Sequence, residues 1–210
     1  MGKKLQIALD VFTTKKALEI LEQIHEYVDI IEAGSPLVVA EGMHAVREIR
    51  ANYKDKMIYA DTKIMDAGSI LAQLAFDAGA DMVSVSACTE DNTIKAAIDL
   101  AHKLGKACLV DMVAVKDIRS RARQLLKFKP DCFCTHVGYD IRQQNIDPVA
   151  ELCSLEGIDI PKAIAGGITL SSMPSAIKSE ASIIIVGEGI YRQPDMRSTA
   201  AKFHAYIEQS

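Results

Sequence analysis

The stretch 57–87, MIYADTKIMDAGSILAQLAFDAGADMVSVSA, contains one complete β–α–β unit. Runs rich in apolar and β-branched residues predict strands at 57–63 and 82–87, and the segment between them has helical spacing. The second strand is introduced by Ala78-Gly79-Ala80-Asp81, in which Gly79 suits the end of a helix. Two strands joined by a helix predict parallel pairing with a right-handed crossover.

The same alternation extends from this unit to both ends of the chain. Amphipathic helices, such as the one predicted at 14–27, separate the strands. The predicted strands are 5–10, 29–34, 57–63, 82–87, 106–112, 131–138, 162–168 and 182–189. Eight βα units in one chain predict a single-domain α/β protein over 1–210, a (β/α)₈ TIM barrel. An open doubly wound sheet is the alternative, but it would usually place a glycine-rich turn after the first strand, where this chain has Asp10-Val11-Phe12-Thr13.

Composition excludes several classes of function. The chain is 49% hydrophobic, carries a formal net charge of −4 and mixes its charges throughout. It has no basic face for nucleic acid, no apolar run of the ~20 residues that cross a bilayer, and no signal-peptide pattern, so we expect a cytoplasmic protein. Its five cysteines lack metal-type spacing and are interpreted as reduced core residues, Cys132 and Cys134 on one face of a strand.

Ionisable residues lie at or near the carboxyl ends of the predicted strands, where barrels of this type carry their chemistry. They are Asp10, Glu32, Asp61, Lys63, Asp111 and His136. Strand alternation predicts that Asp61 and Lys63 share the inward face, with Thr62 towards the helices. An isolated ion pair there could be structural. Three or four carboxylates against one lysine instead leave excess negative charge, which predicts a bound cation, and oxygen ligands favour Mg²⁺.

The last two units carry a different pattern. Gly166 and Gly167 lie at the end of predicted strand seven, and Gly187 with Glu188 lies at the end of predicted strand eight, where the following loops begin. Glycines in these two loops also serve as tight turns, but at this place in a barrel they predict backbone N–H groups that bind a phosphate. A carboxylate would repel a phosphate, so we expect only the backbone of Glu188 to face the ligand.

Several motifs resemble one known superfamily. Asp61-x-Lys63-x-x-Asp66 resembles the signature of the orotidine-monophosphate-decarboxylase superfamily. The segments 5–10, 28–34, 61–68 and 136–140 are similar to its hexulose-6-phosphate synthase family, over nearly the whole chain. That resemblance implies condensation of formaldehyde with D-ribulose 5-phosphate to D-arabino-hex-3-ulose 6-phosphate through an enediolate. The related 3-keto-L-gulonate-6-phosphate decarboxylases share the barrel, the metal and the intermediate.

The resemblance also implies roles for single residues. Glu32 and Asp61 would bind Mg²⁺, Lys63 would lie against the enediolate oxygen, and Asp10 would contact the substrate. The matching Asp66 would enter the active site of a partner subunit, which implies a homodimer with shared active sites. A plainer interpretation makes Asp66 a cap of the following helix.

Three positions depart from the decarboxylase pattern. Tyr139, Asp111 and Ala165 stand where decarboxylases have Arg, Glu and Thr. We therefore expect these three residues in a substrate site of the synthase kind, with the decarboxylase as the alternative function. A non-catalytic sugar-phosphate-binding barrel is a third hypothesis, which loss of Glu32, Asp61 or Lys63 would have favoured.

His136 is the candidate general base, because histidine titrates near pH ~6.5 and suits proton transfer at neutral pH. A hydrogen-bonded histidine of the barrel rim is its structural interpretation. Schiff-base chemistry at Lys63 is disfavoured, since neighbouring carboxylates keep its amine protonated and a protonated amine is no nucleophile.

Overall fold

The computed structural model describes residues 2–144 and 146–209. Eight strands alternate with ten α-helices in this part of the chain. The strands are β1 (Lys4–Leu9), β2 (Ile30–Ala33), β3 (Met57–Ile64), β4 (Met82–Ser86), β5 (Ala107–Asp111), β6 (Cys132–His136), β7 (Lys162–Ala165) and β8 (Ile183–Val186). The helices are α1 (Thr14–Ile24), α2 (Ser35–Glu41), α3 (Met43–Asn52), α4 (Gly68–Asp77), α5 (Asp91–Lys103), α6 (Ile118–Leu125), α7 (Pro148–Glu151), α8 (Met173–Lys178), α9 (Glu188–Tyr191) and α10 (Met196–Glu208).

The strands pair in parallel in the order β1 to β8, and β8 closes the barrel on β1. The predicted (β/α)₈ fold is confirmed. All eight predicted strands are present, most of them shortened by one to three residues at an end, so Asp10 and the glycine pairs lie in the loops just after the strands. The helix predicted at 14–27 ends earlier, at Ile24, and continues as a 3₁₀ turn over His25–Tyr27.

Two apolar layers hold the barrel together. One lies between the strands and the helices, and the other fills the barrel interior, with Tyr59, Met82 and Leu109 among its members. Cys132 and Cys134 belong to the interior layer, as predicted. The expectation of five core cysteines is wrong for Cys88 and Cys153, which are exposed on loop and 3₁₀ segments. Within the described ranges, no helix combines the length and apolarity that a membrane crossing needs.

The Asp that precedes several strands has a structural role at the amino-terminal end of the barrel, called the bottom below. The carboxylates of Asp29, Asp81 and Asp131 accept backbone N–H groups from the previous strand, at Leu5 (2.8 Å), Ile58 (3.0 Å) and Cys108 (2.8 Å). Each Asp therefore ties the start of its own strand to the start of its neighbour. This explains why an Asp recurs just before these strands.

β3 is irregular where it reaches the opposite end, the mouth. Ala60 pairs with Val83 and Ile64 pairs with Val85, so the three residues Asp61, Thr62 and Lys63 lie opposite Ser84 alone. Lys63 has a φ of 40°, in the left-handed region that non-glycine residues rarely adopt. This bulge occurs at the motif that carries the candidate chemistry, a common place for such irregularities.

Candidate active site

A chain of ionisable groups crosses the mouth from β3 to β6. Lys63 Nζ lies 2.6 Å from Asp61 Oδ2 and 3.0 Å from Asp111 Oδ2. The same Asp111 oxygen lies 3.0 Å from His136 Nδ1. Asp61 and Asp111 are buried, whereas Lys63 and His136 retain exposed side-chain surface. The four residues that the sequence places on three different strands therefore form one connected cluster.

The charges fix the protonation of this cluster. Burial alone would lower the pKa of Lys63, but the carboxylates of Asp61 and Asp111 outweigh it and hold that pKa above its usual value. Burial alone would likewise raise the pKa of Asp111, but the hydrogen bond and charge of His136 and the ammonium of Lys63 hold it well below its usual range. Lys63 is thus a cation and Asp111 an anion at neutral pH, as the sequence-based argument against a Schiff base requires.

Glu32 lies on β2 next to this cluster and is almost completely buried. Its Oε2 accepts a 2.6 Å hydrogen bond from Nε2 of Gln6, a fully buried residue of β1. Burial raises the pKa of Glu32 well above its usual value, and repulsion from Asp61 and Asp10 raises it further, against the smaller effects of Lys63 and Gln6. The carboxylates are therefore not neutralised by the single lysine.

Asp61 is the most heavily hydrogen-bonded of these carboxylates. Its Oδ2 accepts from Ser35 Oγ at 2.7 Å, and its Oδ1 accepts from Ser84 Oγ at 2.7 Å. The phenol of Tyr59 adds a longer contact of 3.3 Å to Oδ1. Buried carboxylates held this firmly have a fixed direction, which is what a metal ligand or an ion-pair partner needs.

The donor set fits a hard divalent cation. Two carboxylates, Glu32 and Asp61, stand at adjacent positions of the mouth with excess negative charge. No group of three or more His, Cys, Asp or Glu side chains in residues 2–144 and 146–209 has the arrangement of a protein-only metal cage. Mg²⁺ commonly binds through one or two carboxylates and completes its shell with water and substrate oxygens, so the arrangement suits Mg²⁺ better than Zn²⁺.

The predicted phosphate residues Gly166, Gly167 and Gly187 lie in the loops after β7 and β8, and Glu188 is the first residue of α9. Gly166 and Gly167 have φ values of 102° and 79°. A Cβ at Gly166 would lie 2.3 Å from the carbonyl oxygen of Val137, so only glycine fits between β6 and β7 here. The side chain of Glu188 pairs with Arg192 at 2.8 Å, which gives its charge a partner other than the proposed phosphate.

The remaining predicted substrate residues lie around the mouth and differ in how deeply they are buried. Asp10 lies against Gly34 at the β1–β2 edge, where an added Cβ would meet its Oδ1 at 2.3 Å. Ala165 is buried and pairs in register with His136. Tyr139 is 65% exposed and begins a 3₁₀ turn, Tyr139–Gln144, at the rim.

Asp66 does not join the cluster of its own chain. It is exposed, and its Oδ1 accepts the N–H of Ala67 at 2.7 Å. The interpretation of Asp66 as the helix cap is wrong, because Ala67 is the N-cap of α4, adopts a φ of 52° and has no side-chain cap.

Gln6 and Ser84 are among the residues of the site that were missed from the sequence. Both are fully buried polar residues, and both contact a predicted metal ligand. Their signal was available, because each occupies an inward position of a strand, Gln6 two residues before Ala8 and Ser84 between Val83 and Val85. A polar residue at such a position must find a partner inside the barrel.

Comparisons with known proteins agree with this fold. The model of the Orotidine 5'-phosphate decarboxylase / HUMPS family matches residues 3–203. The 3-hexulose-6-phosphate synthase of Bacillus subtilis is 39% identical over 208 residues, covering 98% of this chain and 99% of the relative. The crystal structure of 3-hexulose-6-phosphate synthase from Salmonella typhimurium superposes with a TM-score of 0.95 at 35% identity, over 98% of this chain and 99% of that one.

A decarboxylase is also among the structural neighbours. The 3-keto-L-gulonate-6-phosphate decarboxylase of Vibrio cholerae has a TM-score of 0.89 at 27% identity, over 100% of this chain and 99% of that one. Fold and site together define a (β/α)₈-barrel enzyme of the lyase class. The chain belongs to the Orotidine 5'-phosphate decarboxylase / HUMPS family, which confirms the resemblance found in the sequence.

Proposed function

We propose that this chain is a Mg²⁺-dependent aldolase that condenses formaldehyde with D-ribulose 5-phosphate to D-arabino-hex-3-ulose 6-phosphate. The observation that carries the proposal is the protonated Lys63 held between Asp61 and Asp111 beside His136. A fixed cation next to a base suits a reaction that creates an enediolate. Relatives at 35–39% identity are named 3-hexulose-6-phosphate synthase, after the product that this condensation would give.

His136 acts as the general base in this proposal. Asp111 is ionised and can only accept, so the shared hydrogen bond carries its proton on His136 Nδ1, and the neutral form of the ring, which is the form that acts as a base, has its lone pair on Nε2. That nitrogen takes the proton from C1 of the ketose, and the electron pair moves onto the carbonyl oxygen at C2. Asp111 thereby orients the ring and favours the imidazolium that forms.

Lys63 stabilises the negative charge that develops on the enediolate oxygen. Its ammonium is held by two carboxylates and need not reorganise during the reaction. The enediolate carbon then attacks formaldehyde, and the resulting alkoxide takes back a proton from His136. A Mg²⁺ ion held by Glu32 and Asp61 would supply further positive charge beside the substrate oxygens.

The remaining predicted residues bind the substrate. Backbone N–H groups of the loops containing Gly166, Gly167, Gly187 and Glu188 take the phosphate, and Asp10 contacts the sugar. Tyr139 and Ala165 set the choice of electrophile. Tyr139 is neutral and places no cation beside the enediolate where decarboxylases have arginine, and alanine leaves more room than threonine beside His136.

The alternative function is 3-keto-L-gulonate-6-phosphate decarboxylase, giving L-xylulose 5-phosphate and CO₂, which the neighbour from Vibrio cholerae favours. Both substrates should be offered to one Mg²⁺-loaded preparation. We expect formaldehyde-dependent consumption of ribulose 5-phosphate to exceed decarboxylation by about tenfold or more in kcat/KM, equal to ~1.4 kcal/mol. A preference for the keto acid would replace the proposal by its alternative. The cytoplasmic location stays a prediction of the sequence.

We further propose a homodimer in which Asp66 enters the partner's site. Apolar side chains with 39–65% exposure flank Asp66, namely Met65, Ile70, Leu71 and Leu74. Such a face, at the start of α4, suits burial against a second copy of the chain. Asp66 itself points to solvent within its own chain, which leaves it available to another.

Subunit mixing tests the shared site. Asp66→Asn and Lys63→Ala should each be inactive as homodimers. The mixture should recover up to about a quarter of wild-type activity, because half of its dimers are heterodimers and each heterodimer has one intact site out of two. Mass spectrometry should verify the exchange of subunits. Exchange without recovered activity would exclude the shared site.

A further inference from the structure

We propose that Ser84 is a positioning residue that fixes both Asp61 and Lys63 through its hydroxyl group. Ser84 lies on β4, opposite the bulge of β3, and is fully buried. Its role in turnover rests on the proposed function, whereas its role in holding the two side chains does not.

The hydroxyl of Ser84 connects the two residues directly. It donates to Asp61 Oδ1 at 2.7 Å and accepts the backbone N–H of Lys63 at 2.8 Å. One oxygen atom therefore sets the direction of the carboxylate and the position of the lysine backbone at the same time. No other described hydroxyl group makes both of these contacts.

The bulge makes this hydroxyl necessary. Three residues of β3 face one residue of β4, so the regular exchange of backbone hydrogen bonds is interrupted between Ala60 and Ile64. The Ser84 side chain supplies an acceptor for the N–H of Lys63, and Thr62 Oγ1 donates to the carbonyl oxygen of Ser84 at 2.9 Å. These contacts hold Lys63 at its unusual φ of 40°.

The consequence for the site follows from which oxygen each donor uses. Ser84 engages Oδ1 of Asp61, while Lys63 and Ser35 engage Oδ2. Without the Ser84 hydroxyl, the carboxylate can rotate and the lysine backbone can leave the left-handed region. The ion pairs from Lys63 to Asp61 and Asp111 would then lose their common geometry.

Four variants test the role of Ser84. Ser84→Ala removes the hydroxyl, Ser84→Cys keeps nearly the same volume with a weak hydrogen-bonding group, and Ser84→Thr restores the hydroxyl. Ser86→Ala is the matched control, because Ser86 is a buried serine on the same face of β4 whose hydroxyl accepts the N–H of Cys88 at 3.2 Å. Thermal melting of each variant verifies folding.

Mn²⁺ titration followed by electron paramagnetic resonance and steady-state kinetics are measured side by side. Ser84→Ala and Ser84→Cys should weaken Mn²⁺ binding about tenfold and lower kcat about 30-fold, the range seen when supporting partners of a ligand are removed. KM should change less than about threefold, since the lost interaction acts at the reacting centre. Ser84→Thr should lie within about threefold of wild type, and Ser86→Ala within about twofold.

A crystal structure of Ser84→Ala, or of Ser84→Cys if the alanine variant does not fold, gives a readout independent of turnover and metal. We expect Lys63 to leave its positive φ and Nζ to lose contact with Asp61 or Asp111. Unchanged ion pairs in that structure would overturn the proposal, as would equal losses in Ser84→Ala and Ser86→Ala. If wild type fails to consume ribulose 5-phosphate with formaldehyde, the proposed function fails, and the crystal structure still decides the role of Ser84.

Discussion

The two ends of this barrel both carry clusters of charged side chains, but the clusters differ in charge balance and burial. At the bottom, Asp81 pairs with Arg50 and with Lys106, the latter at 2.7 Å, so two cations face one carboxylate. At the mouth, Lys63 faces Asp61 and Asp111, and Glu32 lies beside them. The Asp81 side chain is 29% exposed, whereas those of Asp61 and Asp111 are 7% and 3% exposed.

This difference separates a structural cluster from a functional one. At the bottom, the carboxylate is satisfied by cations and by the N–H of Ile58, and water screens the cluster. At the mouth, negative charge is buried in excess, which costs stability unless a cation or a substrate compensates it. An arrangement that is unfavourable in the empty protein is typical of a binding site.

Removing the lysine at each end should give the largest contrast. Lys63→Ala should lower kcat/KM for formaldehyde-dependent consumption of ribulose 5-phosphate at least about 1000-fold, ~4 kcal/mol, because the developing enediolate charge loses its fixed cation. The matched variant Lys106→Ala should stay within about threefold of wild type. Both variants are measured under the same Mg²⁺ concentration. Comparable losses of kcat/KM in Lys63→Ala and Lys106→Ala would contradict the functional difference between the two ends of the barrel.

Removing the bottom carboxylate should instead affect stability. Asp81→Ala leaves Arg50, Lys106 and the N–H of Ile58 without this acceptor, which should cost about 2 kcal/mol and lower Tm by about 4–8 °C at pH 7. Burial alone would raise the pKa of Asp81. The hydrogen bonds from Lys106 and Ile58 and the charges of Arg50 and Lys106 outweigh burial, so the pKa of Asp81 lies below its usual value.

The pH dependence of that loss has a definite sign. A carboxyl with a depressed pKa in the folded state stabilises the protein above its unfolded pKa, and this contribution disappears as pH falls through the folded pKa. The difference in Tm between wild type and Asp81→Ala should therefore shrink below pH ~4. Asp81→Ala should have a normal kcat and a lowered Tm. A normal Tm with lost activity in this variant would contradict the prediction.

Replacing Glu32 should change Tm less than replacing Asp81 does, and should raise it instead of lowering it. Burial, Asp61 and Asp10 raise its pKa, so its contribution to stability is present at low pH and is lost as pH rises through the raised folded pKa. In chelated protein at pH 8, Glu32→Gln should raise Tm by about 2–4 °C, corresponding to about 1 kcal/mol. The gain should vanish below pH ~3.5, where the carboxyl is protonated in both states.

A control for Glu32→Gln exists at the bottom. Glu180 pairs with Lys162 at 2.6 Å, and its pKa is lowered by that hydrogen bond and charge. Glu180→Gln should therefore not raise Tm at pH 8. A lower Tm for Glu32→Gln in chelated protein would show that the ionised Glu32 carboxylate does not destabilise the folded protein.

Much of the fold was predictable because its signals are local. Strands of apolar and β-branched residues alternate with helical spacing along the entire chain, and the predicted strands are all present. Strand ends were less predictable, since glycines with positive φ, such as Gly166, end β7 before the apolar run ends.

The site was predictable as a set of residues but not as a geometry. Position at strand ends placed Asp61, Lys63, Asp111 and His136 together, and their contacts follow that prediction. The bulge of β3 could not be foreseen, because it depends on pairing between β3 and β4 and on the Ser84 hydroxyl. The metal, phosphate and partner-subunit roles stay predictions.

We expect the mouth of the barrel, and not the bottom, to bind a divalent cation through Glu32 and Asp61. Mn²⁺ titration by electron paramagnetic resonance tests this claim on chelator-treated protein. We expect about one Mn²⁺ per chain in wild type and in Asp81→Asn, competition by Mg²⁺, and at least about tenfold weaker binding in Glu32→Gln. Binding that is unchanged in Glu32→Gln, or that is lost in Asp81→Asn, would contradict it.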